Sequence, residues 1–154
     1  MTPAQQSSIE RIGGALTQAG LARLPSRVFA ALLVDDDGRM TSVELAAALD
    51  VSAAGVSGAV GYLEQVGMLR RERERGSRRD VYVVDDDAWH DAMVSHDQTY
   101  GPIKASLAHA LAALGPDAPA HRRVALSLDF LRFVEAELDE IAVKWERRKA
   151  ELGY

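Results

Sequence analysis

The most concentrated chemistry in the sequence is a cluster of arginines in an 11-residue segment. Between Arg70 and Asp80 lie six of the 18 basic residues of the chain, at positions 70, 71, 73, 75, 78 and 79. Guanidinium groups bind phosphate oxygens through paired hydrogen bonds and stay charged at neutral pH. The segment also holds three acidic residues, so its net charge is +3. The whole chain has a net charge of −5, so the residues outside the segment carry −8. The cluster therefore favours a polyanionic partner, double-stranded DNA, for a chain that is otherwise acidic.

Two interpretations of the individual arginines remain open. The first is contact with DNA, and the arginines to which we assign it are Arg73, Arg75, Arg78 and Arg79. The second is a solvated surface whose arginines pair across strands with Glu72 or Glu74, which we expect for Arg71.

The residues before the cluster have the pattern of a helix-turn-helix motif. Thr41 or Ser42 can cap a helix over 43–49, and Glu44, three residues after Thr41, completes a capping box. After a short break, Ser52 can cap a second helix to about residue 66, which Gly67 ends. Two helices joined by a three-residue turn predict this motif.

The arginine cluster itself lies on a predicted β-hairpin. A possible strand over 68–73 is followed by a turn at 74–77 and by the strongest β segment of the chain, residues 80–84. Two antiparallel strands directly after a helix-turn-helix form a wing, so the motif predicts a winged helix in which the wing carries the arginines.

The second helix of the motif is the expected recognition helix, and its N-terminal turns carry small residues. The residues that we expect to face DNA are Ser52, Ala53, Ala54, Gly55, Ser57, Gly58 and Tyr62. None is an Arg, Asn or Gln, the residue types that read bases through paired hydrogen bonds, so DNA shape and the wing should carry much of the recognition. The helical glycines allow either close approach to DNA or close helix packing, and for Gly61 we expect packing.

The remaining sequence predicts helices, so the fold class is mainly α with a small β-wing. A first helix spans about 5–19, a second begins near Pro25, and 88–114 is helical with Pro102 as a break or kink. The last helix, over about 120–152, is too long to be covered by so small a domain. We divide the chain into an N-terminal dimerisation helix (1–24), a DNA-binding lobe (25–86) and a helical dimerisation region (87–154).

Apolar stripes on the first and last helices predict a homodimer. In the last helix the stripe has spacings of three and four, and its residues are Val124, Leu128, Leu131, Val134, Leu138, Ile141 and Trp145. Together with Ile9, Ile12 and Leu16 of the first helix, this stripe is expected to meet a second copy of the chain.

An apolar cleft between the lobe and the long helices is a candidate site for a small-molecule effector. The residues that could line it are Trp89, Met93, His96, Tyr100 and Trp145. Ordinary core and dimer packing is the alternative for each of them. The histidines lack the three or four converging ligands that a metal needs, so we predict no metal and no cofactor.

Several other classes of protein are disfavoured by the sequence. The absence of cysteine excludes thiolate nucleophiles and disulfides, and no phosphate-binding glycine loop occurs. Residues 55–59 approach a serine nucleophile motif but end in Ala59 where glycine is required. No apolar run long enough for a membrane span and no signal-like N-terminus is present, so we expect a cytoplasmic protein that is not an enzyme and binds no membrane.

The sequence resembles the MarR-type bacterial repressors and, within them, the GbsR-like branch. The resemblance covers most of the chain and rests on the segments 42–46, 51–52, 56–57, 63–64, 66–69 and 76–82, with flanks at 24–29 and 87–89. Many relatives have an Asp shortly before the wing arginine, whereas this chain has Gly76 and Ser77, so the bracing acid would be Glu72, Glu74 or Asp80. The resemblance implies a homodimer that represses genes from a palindromic operator, often with a small-molecule inducer. A winged-helix adaptor that binds another protein is the alternative function.

Overall fold

The computed structural model describes residues 1–73, 79–89 and 97–154, of which 97–99 by backbone alone. The chain divides into two compact units, Met1–Asp91 and Ala92–Tyr154. Helices dominate both units, and one small antiparallel sheet lies in the first. The predicted fold class, mainly α with a small β-wing, is confirmed.

Four helices of the first unit surround its core. They are α1 (Pro3–Gln18), α2 (Arg23–Leu33), α3 (Ser42–Leu49) and α4 (Ala53–Gln65). Phe29 on α2 is the largest of the fully buried side chains, and α2 packs against α1, α3 and α4. Leu45 and Leu49 of α3 and Val56, Val60 and Leu63 of α4 complete the core. Burial of this apolar face holds the two helices of the helix-turn-helix motif in place.

Helix α1 is part of the first unit. Ile9 is fully buried and Leu16 nearly so, because α1 packs along α2. Two glutamines tie it down further: Gln5 Nε2 donates to Val34 O at 3.1 Å, and Gln6 Nε2 donates to Ala48 O at 3.0 Å. The expectation that Ile9 and Leu16 meet a second copy was wrong, since both side chains pack on helices of their own chain. The dimerisation role of residues 1–24 stays a prediction.

The sheet has three strands: β1 (Arg39–Thr41), β2 (Arg70–Arg73) and β3 (Asp80–Val83). Their order is β1-β3-β2 and both pairings are antiparallel, with Tyr82 opposite Met40 on one side and Arg71 on the other. The two predicted wing strands are thus confirmed, with β2 beginning at 70 and β3 ending at 83. Strand β1 adds a third strand that joins the start of α3 to the wing.

The described part of the second unit contains two helices, α5 (Asp97–Ala113) and α6 (His121–Leu152). Pro102 lies inside α5 and does not end it. The 32 residues of α6 span about 48 Å at the standard rise of a helix. α5 packs along α6, where Leu128 is buried and Lys104 forms an ion pair with Glu135. In the described parts of the chain no single helix has the length and apolar composition of a membrane span. Only α3 and α4 taken together reach that length and composition, and they are bent by 110° where they meet.

Packing of α5 on α6 revises the predicted apolar stripe. Val124, Leu131, Val134 and Leu138 are half-buried beside the buried Leu128. These four residues are only partly exposed because α5 of the same chain packs on α6, whereas Ile141 and Trp145 of the same predicted stripe are exposed. Contact of this stripe with a second copy stays a prediction. The exposed apolar side chains of α6 include a different row, Leu126, Phe130 and Phe133.

Candidate nucleic-acid interface

Two local caps set the geometry of the helix-turn-helix motif. The Thr41 hydroxyl accepts from the Glu44 amide at 3.3 Å, and the Glu44 carboxylate accepts from the Thr41 amide at 2.7 Å. Ser52 Oγ accepts from the Gly55 amide at 3.2 Å and so begins α4. Between the caps, Asp50 adopts a left-handed conformation (φ 52°), and α3 and α4 meet at 110°. Both predicted caps and the predicted turn are confirmed.

The exposed face of α4 gathers six of the seven residues expected to face DNA. Ser52, Ala53, Ala54, Ser57, Gly58 and Tyr62 are exposed. Val56, Val60 and Leu63 are buried on the opposite face, so packing of the core fixes which side of α4 is presented to solvent. Up to Tyr62 the presented face is uncharged and made mostly of small side chains, which lets a groove of DNA approach the backbone of the helix.

The three glycines of α4 differ in what surrounds them. A Cβ on Gly55, which is half-buried, would lie 3.2 Å from Leu24 Cδ2, so this glycine serves the packing of α4 on α2. A Cβ on Gly58 or on Gly61 would meet no atom of the described residues within 4 Å. The expectation that Gly61 serves helix packing was wrong, because no described residue approaches it.

One face of the sheet carries a chain of ion pairs. Arg70 bonds to Asp85 through two hydrogen bonds of 2.7 and 2.8 Å and pairs with Glu72, which accepts from Arg39 at 2.8 Å. The register places these strand residues on the same face as the buried Val81 and Val83, so their aliphatic stems help to cover the two valines. The bonds to Arg70 lower the pKa of Asp85, and the bond to Asp85 raises the pKa of Arg70.

Arg71 points to the other face of the sheet and towards the recognition helix. Its guanidinium lies 3.1 Å from Glu64 on α4 and 3.6 Å from Asp80 on β3, and it sits over the Tyr82 ring at 5.6 Å. Arg71 is paired as expected. Of its two expected partners, Glu72 does not contact it, because neighbouring residues of a strand point to opposite faces, and the partners in the described residues are Glu64 and Asp80. Asp80 was one of the three acids expected to brace the wing, and it lies near the Arg71 guanidinium. Glu74, another of these acids and the second expected partner of Arg71, lies outside the described residues.

Two further wing arginines, Arg73 and Arg79, lie in the described residues. Arg73 is exposed, and its guanidinium makes no ion pair with any residue in the described ranges. Arg79 is also exposed and lines a surface groove of about 520 Å³ with residues 41–44 and Asp80. Hydrogen bonds from Thr41 lower the pKa of Glu44, and the positive charge of Arg79 adds to this effect. The predicted contacts Arg75 and Arg78 lie outside the described residues.

The residues of the predicted effector cleft are divided between the two units. Trp89 belongs to the first unit, where its ring packs edge-on against Phe29 with a centroid distance of 5.3 Å. Tyr100 and Trp145 belong to the second unit, and Met93 and His96 lie outside the described residues. The cleft therefore stays a prediction. No group of three or more His, Asp or Glu side chains that could hold a metal occurs where the structure is described.

Comparison with known proteins identifies the family. Residues 19–80 match the model of the MarR family, and residues 87–148 match that of the MmpR5-like MarR family transcriptional regulators. The chain is 30% identical over 145 residues to the HTH-type transcriptional regulator MmpR5 of Mycobacterium tuberculosis. The aligned residues cover 93% of this chain and 87% of that protein. The crystal structure of a transcriptional regulator that is 27% identical in sequence superposes on this chain with a TM-score of 0.82. The superposition covers 94% of this chain and 99% of the other. The narrower assignment to the GbsR-like branch stays a prediction. The chain belongs to the MarR family of transcriptional regulators.

Proposed function

We propose that this protein is a homodimeric repressor that binds a palindromic operator through α4 and its wing and is released by a small-molecule effector. The observation that carries the proposal is the position of two DNA-compatible surfaces on one unit. From Ala53 to Tyr62 the exposed face of α4 is uncharged and made mostly of small side chains. Of the exposed arginines that follow it, Arg73 ends β2 and Arg79 directly precedes β3.

The two surfaces suit different parts of a DNA site. A helix with small side chains can lie deep in the major groove, where alanines contact thymine methyl groups and Ser57 can bond to a base or a phosphate. An arginine at the wing can enter a narrow minor groove, whose negative potential attracts it. Recognition would then depend on DNA shape as much as on base edges. The acidic remainder of the chain would disfavour approach to DNA in other orientations.

An exposed apolar row on α6 supports the dimer. Leu126, Phe130 and Phe133 are 68%, 60% and 60% exposed and lie three and four residues apart, so they form one stripe along the helix. Two large aromatic side chains on such a stripe are typical of a surface that another chain covers. A second copy would supply an identical row and would place two recognition helices on one palindromic site, about one turn of DNA apart.

A salt titration of DNA binding tests the proposal. The DNA between the gene and its upstream neighbour is labelled, and its affinity for the purified full chain is measured by fluorescence anisotropy at several salt concentrations. If four to eight phosphates are neutralised per dimer, log affinity falls against log salt with a slope of roughly −4 to −7. A slope near zero would contradict the proposal. Absence of binding by a protein that sediments as a dimer would favour the alternative adaptor function.

The effector is tested separately, with the DNA complex as the starting point. Small molecules are screened for release of the labelled fragment, and active compounds are retested on variants of the proposed cleft residues Trp89, Tyr100 and Trp145. Loss of release with unchanged DNA affinity would support the cleft. Unchanged release in all three variants would contradict it.

A further inference from the structure

The recognition helix and the wing are joined by one continuous set of side-chain contacts. Arg71 on β2 contacts Glu64 in the last turn of α4, and it lies over the ring of Tyr82 on β3. The Tyr82 hydroxyl, at the other end of the ring, accepts from Ser42 Oγ at 3.2 Å. Ser42 is the first residue of α3. Both helices of the motif and both strands of the wing therefore meet at the pair formed by Arg71 and Tyr82.

The groups in this set hold Arg71 in one orientation. Glu64 and Asp80 approach different terminal nitrogens of the guanidinium, 3.1 Å from Nη2 and 3.6 Å from Nη1. The buried ring of Tyr82 covers one side of the guanidinium plane. A planar guanidinium can satisfy two carboxylates and an aromatic ring at once, whereas an ammonium group is a single point charge.

The link also closes the short connection between α4 and β2. The chain turns between these elements at Gly67, whose φ is 72°, and the Met68 amide donates to Leu63 O at 2.9 Å. The pair between Glu64 and Arg71 spans this turn from outside. A change in the angle between wing and recognition helix would have to break that pair and move Arg71 off the Tyr82 ring.

We propose that Arg71, although it belongs to the arginine cluster, is a positioning residue that fixes the wing relative to the recognition helix and binds no phosphate. The inference rests on the proposed DNA binding and adds a role for one residue of that site. Arg73 supplies a matched comparison: it lies on the same strand and face two residues further on and is exposed like Arg71, but it forms no ion pair with a described residue.

The test compares Arg71→Ala with Arg73→Ala in the full chain, with salt-dependent affinity for the operator fragment as the readout. Loss of a phosphate contact reduces the salt slope by about 1 per arginine, or about 2 per dimer, which we expect for Arg73→Ala. For Arg71→Ala we expect operator affinity to fall about 5- to 20-fold at every salt concentration with an unchanged slope. A slope reduced as in Arg73→Ala, or an unchanged affinity, would overturn the proposal.

Two further variants separate positioning from charge and remain informative if Arg71→Ala does not fold. Arg71→Lys keeps the positive charge, so a phosphate ligand would retain most of its affinity, whereas a positioning residue would lose it. Glu64→Ala removes a negative charge beside DNA, so affinity would rise if Arg71 bound phosphate. We expect affinity to fall, and to fall no further in the double variant Arg71→Ala, Glu64→Ala.

Hydrogen exchange in the DNA-free protein tests the link without DNA. We expect Arg71→Ala to speed amide exchange in β2, in β3 and in the last turn of α4, and Arg73→Ala to leave it unchanged. Equal exchange in the two variants would overturn the proposed link. A wild-type protein that binds no DNA would refute the proposed function, whereas the exchange result would still decide the role of Arg71.

Discussion

Arg70 and Asp85 form a two-bonded ion pair, with Nε 2.7 Å from Oδ2 and Nη2 2.8 Å from Oδ1. The pair joins the first residue of β2 to a residue just beyond the end of β3, so it closes the base of the wing at the end opposite its turn. Paired hydrogen bonds of this kind fix orientation as well as charge. Arg70 is therefore a structural member of the arginine cluster.

The ion pair predicts how stability depends on pH. Its bonds hold the pKa of Asp85 below the ordinary value, and the bonds from Thr41 do the same for Glu44. The folded chain therefore binds fewer protons than the unfolded chain in mild acid, and both groups stabilise it fully above about pH 5. Their contribution is lost as the pH falls through the lowered pKa values.

The variant Asp85→Asn isolates one of these two groups. Thermal unfolding is followed from pH 7 to pH 3 for the wild type and the variant. We expect the variant to be less stable at pH 7 and to lose less stability on acidification, so that the two curves converge. Parallel curves across this range would contradict the role of Asp85.

The capping box at the start of α3 predicts the effect of Thr41→Ala. The substitution removes the hydroxyl that accepts from the Glu44 amide, and we expect the free energy of unfolding in urea to fall by about 1 kcal/mol. Val43→Ala at the neighbouring position is the control, because Val43 is largely exposed and its loss should change stability by less than about 0.5 kcal/mol. Equal effects would show that the cap contributes nothing.

The glycines of α4 predict two different results of substitution by alanine. Gly61→Ala should raise the free energy of unfolding by about 1 kcal/mol, since the added methyl group meets nothing and alanine favours the helix. Gly55→Ala gains the same propensity but presses on Leu24 at 3.2 Å, so its net gain should be smaller or negative. Urea unfolding of both variants measures the difference, and a larger gain for Gly55→Ala would contradict the packing described for it.

Gly58 links stability to the proposed DNA binding. Gly58→Ala should stabilise the chain as Gly61→Ala does, because its surroundings are equally open. It should also weaken operator binding, since Gly58 lies in the part of α4 expected to enter the major groove. Anisotropy at constant salt measures this effect. Stabilisation with unchanged affinity would remove Gly58 from the proposed interface.

The exposed row on α6 predicts that a charge within it dissociates the dimer. Phe130→Glu and Phe133→Glu should each shift the sedimentation of the protein from dimer to monomer, because two glutamates would be buried at the interface without partners. Arg132→Glu is the control, since it introduces the same side chain at an exposed position of α6 outside the row. A dimer that persists in both phenylalanine variants would contradict an interface at this row.

Local signals explain how much of this fold the sequence predicted. Thr41, Ser52 and Gly67 act within a few residues of themselves, so the two motif helices were predicted to within about two residues at each end. Strand β1 carries no comparable local signal, because a three-residue strand exists only through its pairing with β3, which lies some 40 positions further on.

Non-local packing explains the errors at the site. The periodicity of α6 showed an apolar face, but it did not show that α5 packs on part of that face or that a second apolar row, Leu126, Phe130 and Phe133, is exposed. The pair of Arg71 with Glu64 was missed as well, because it depends on how the chain turns between α4 and β2. The sequence could have shown that Glu72 is not the partner, because adjacent residues of a strand such as Arg71 and Glu72 point to opposite faces of the sheet.

The charges of β2 have a consequence for how the protein behaves at high concentration. β2 is an edge of the sheet, and all four of its residues, Arg70 to Arg73, are charged. A short edge strand that carries only charged side chains is a poor template for a strand from another molecule. The composition that suits the wing to a polyanion therefore also protects the open edge of the sheet against aggregation.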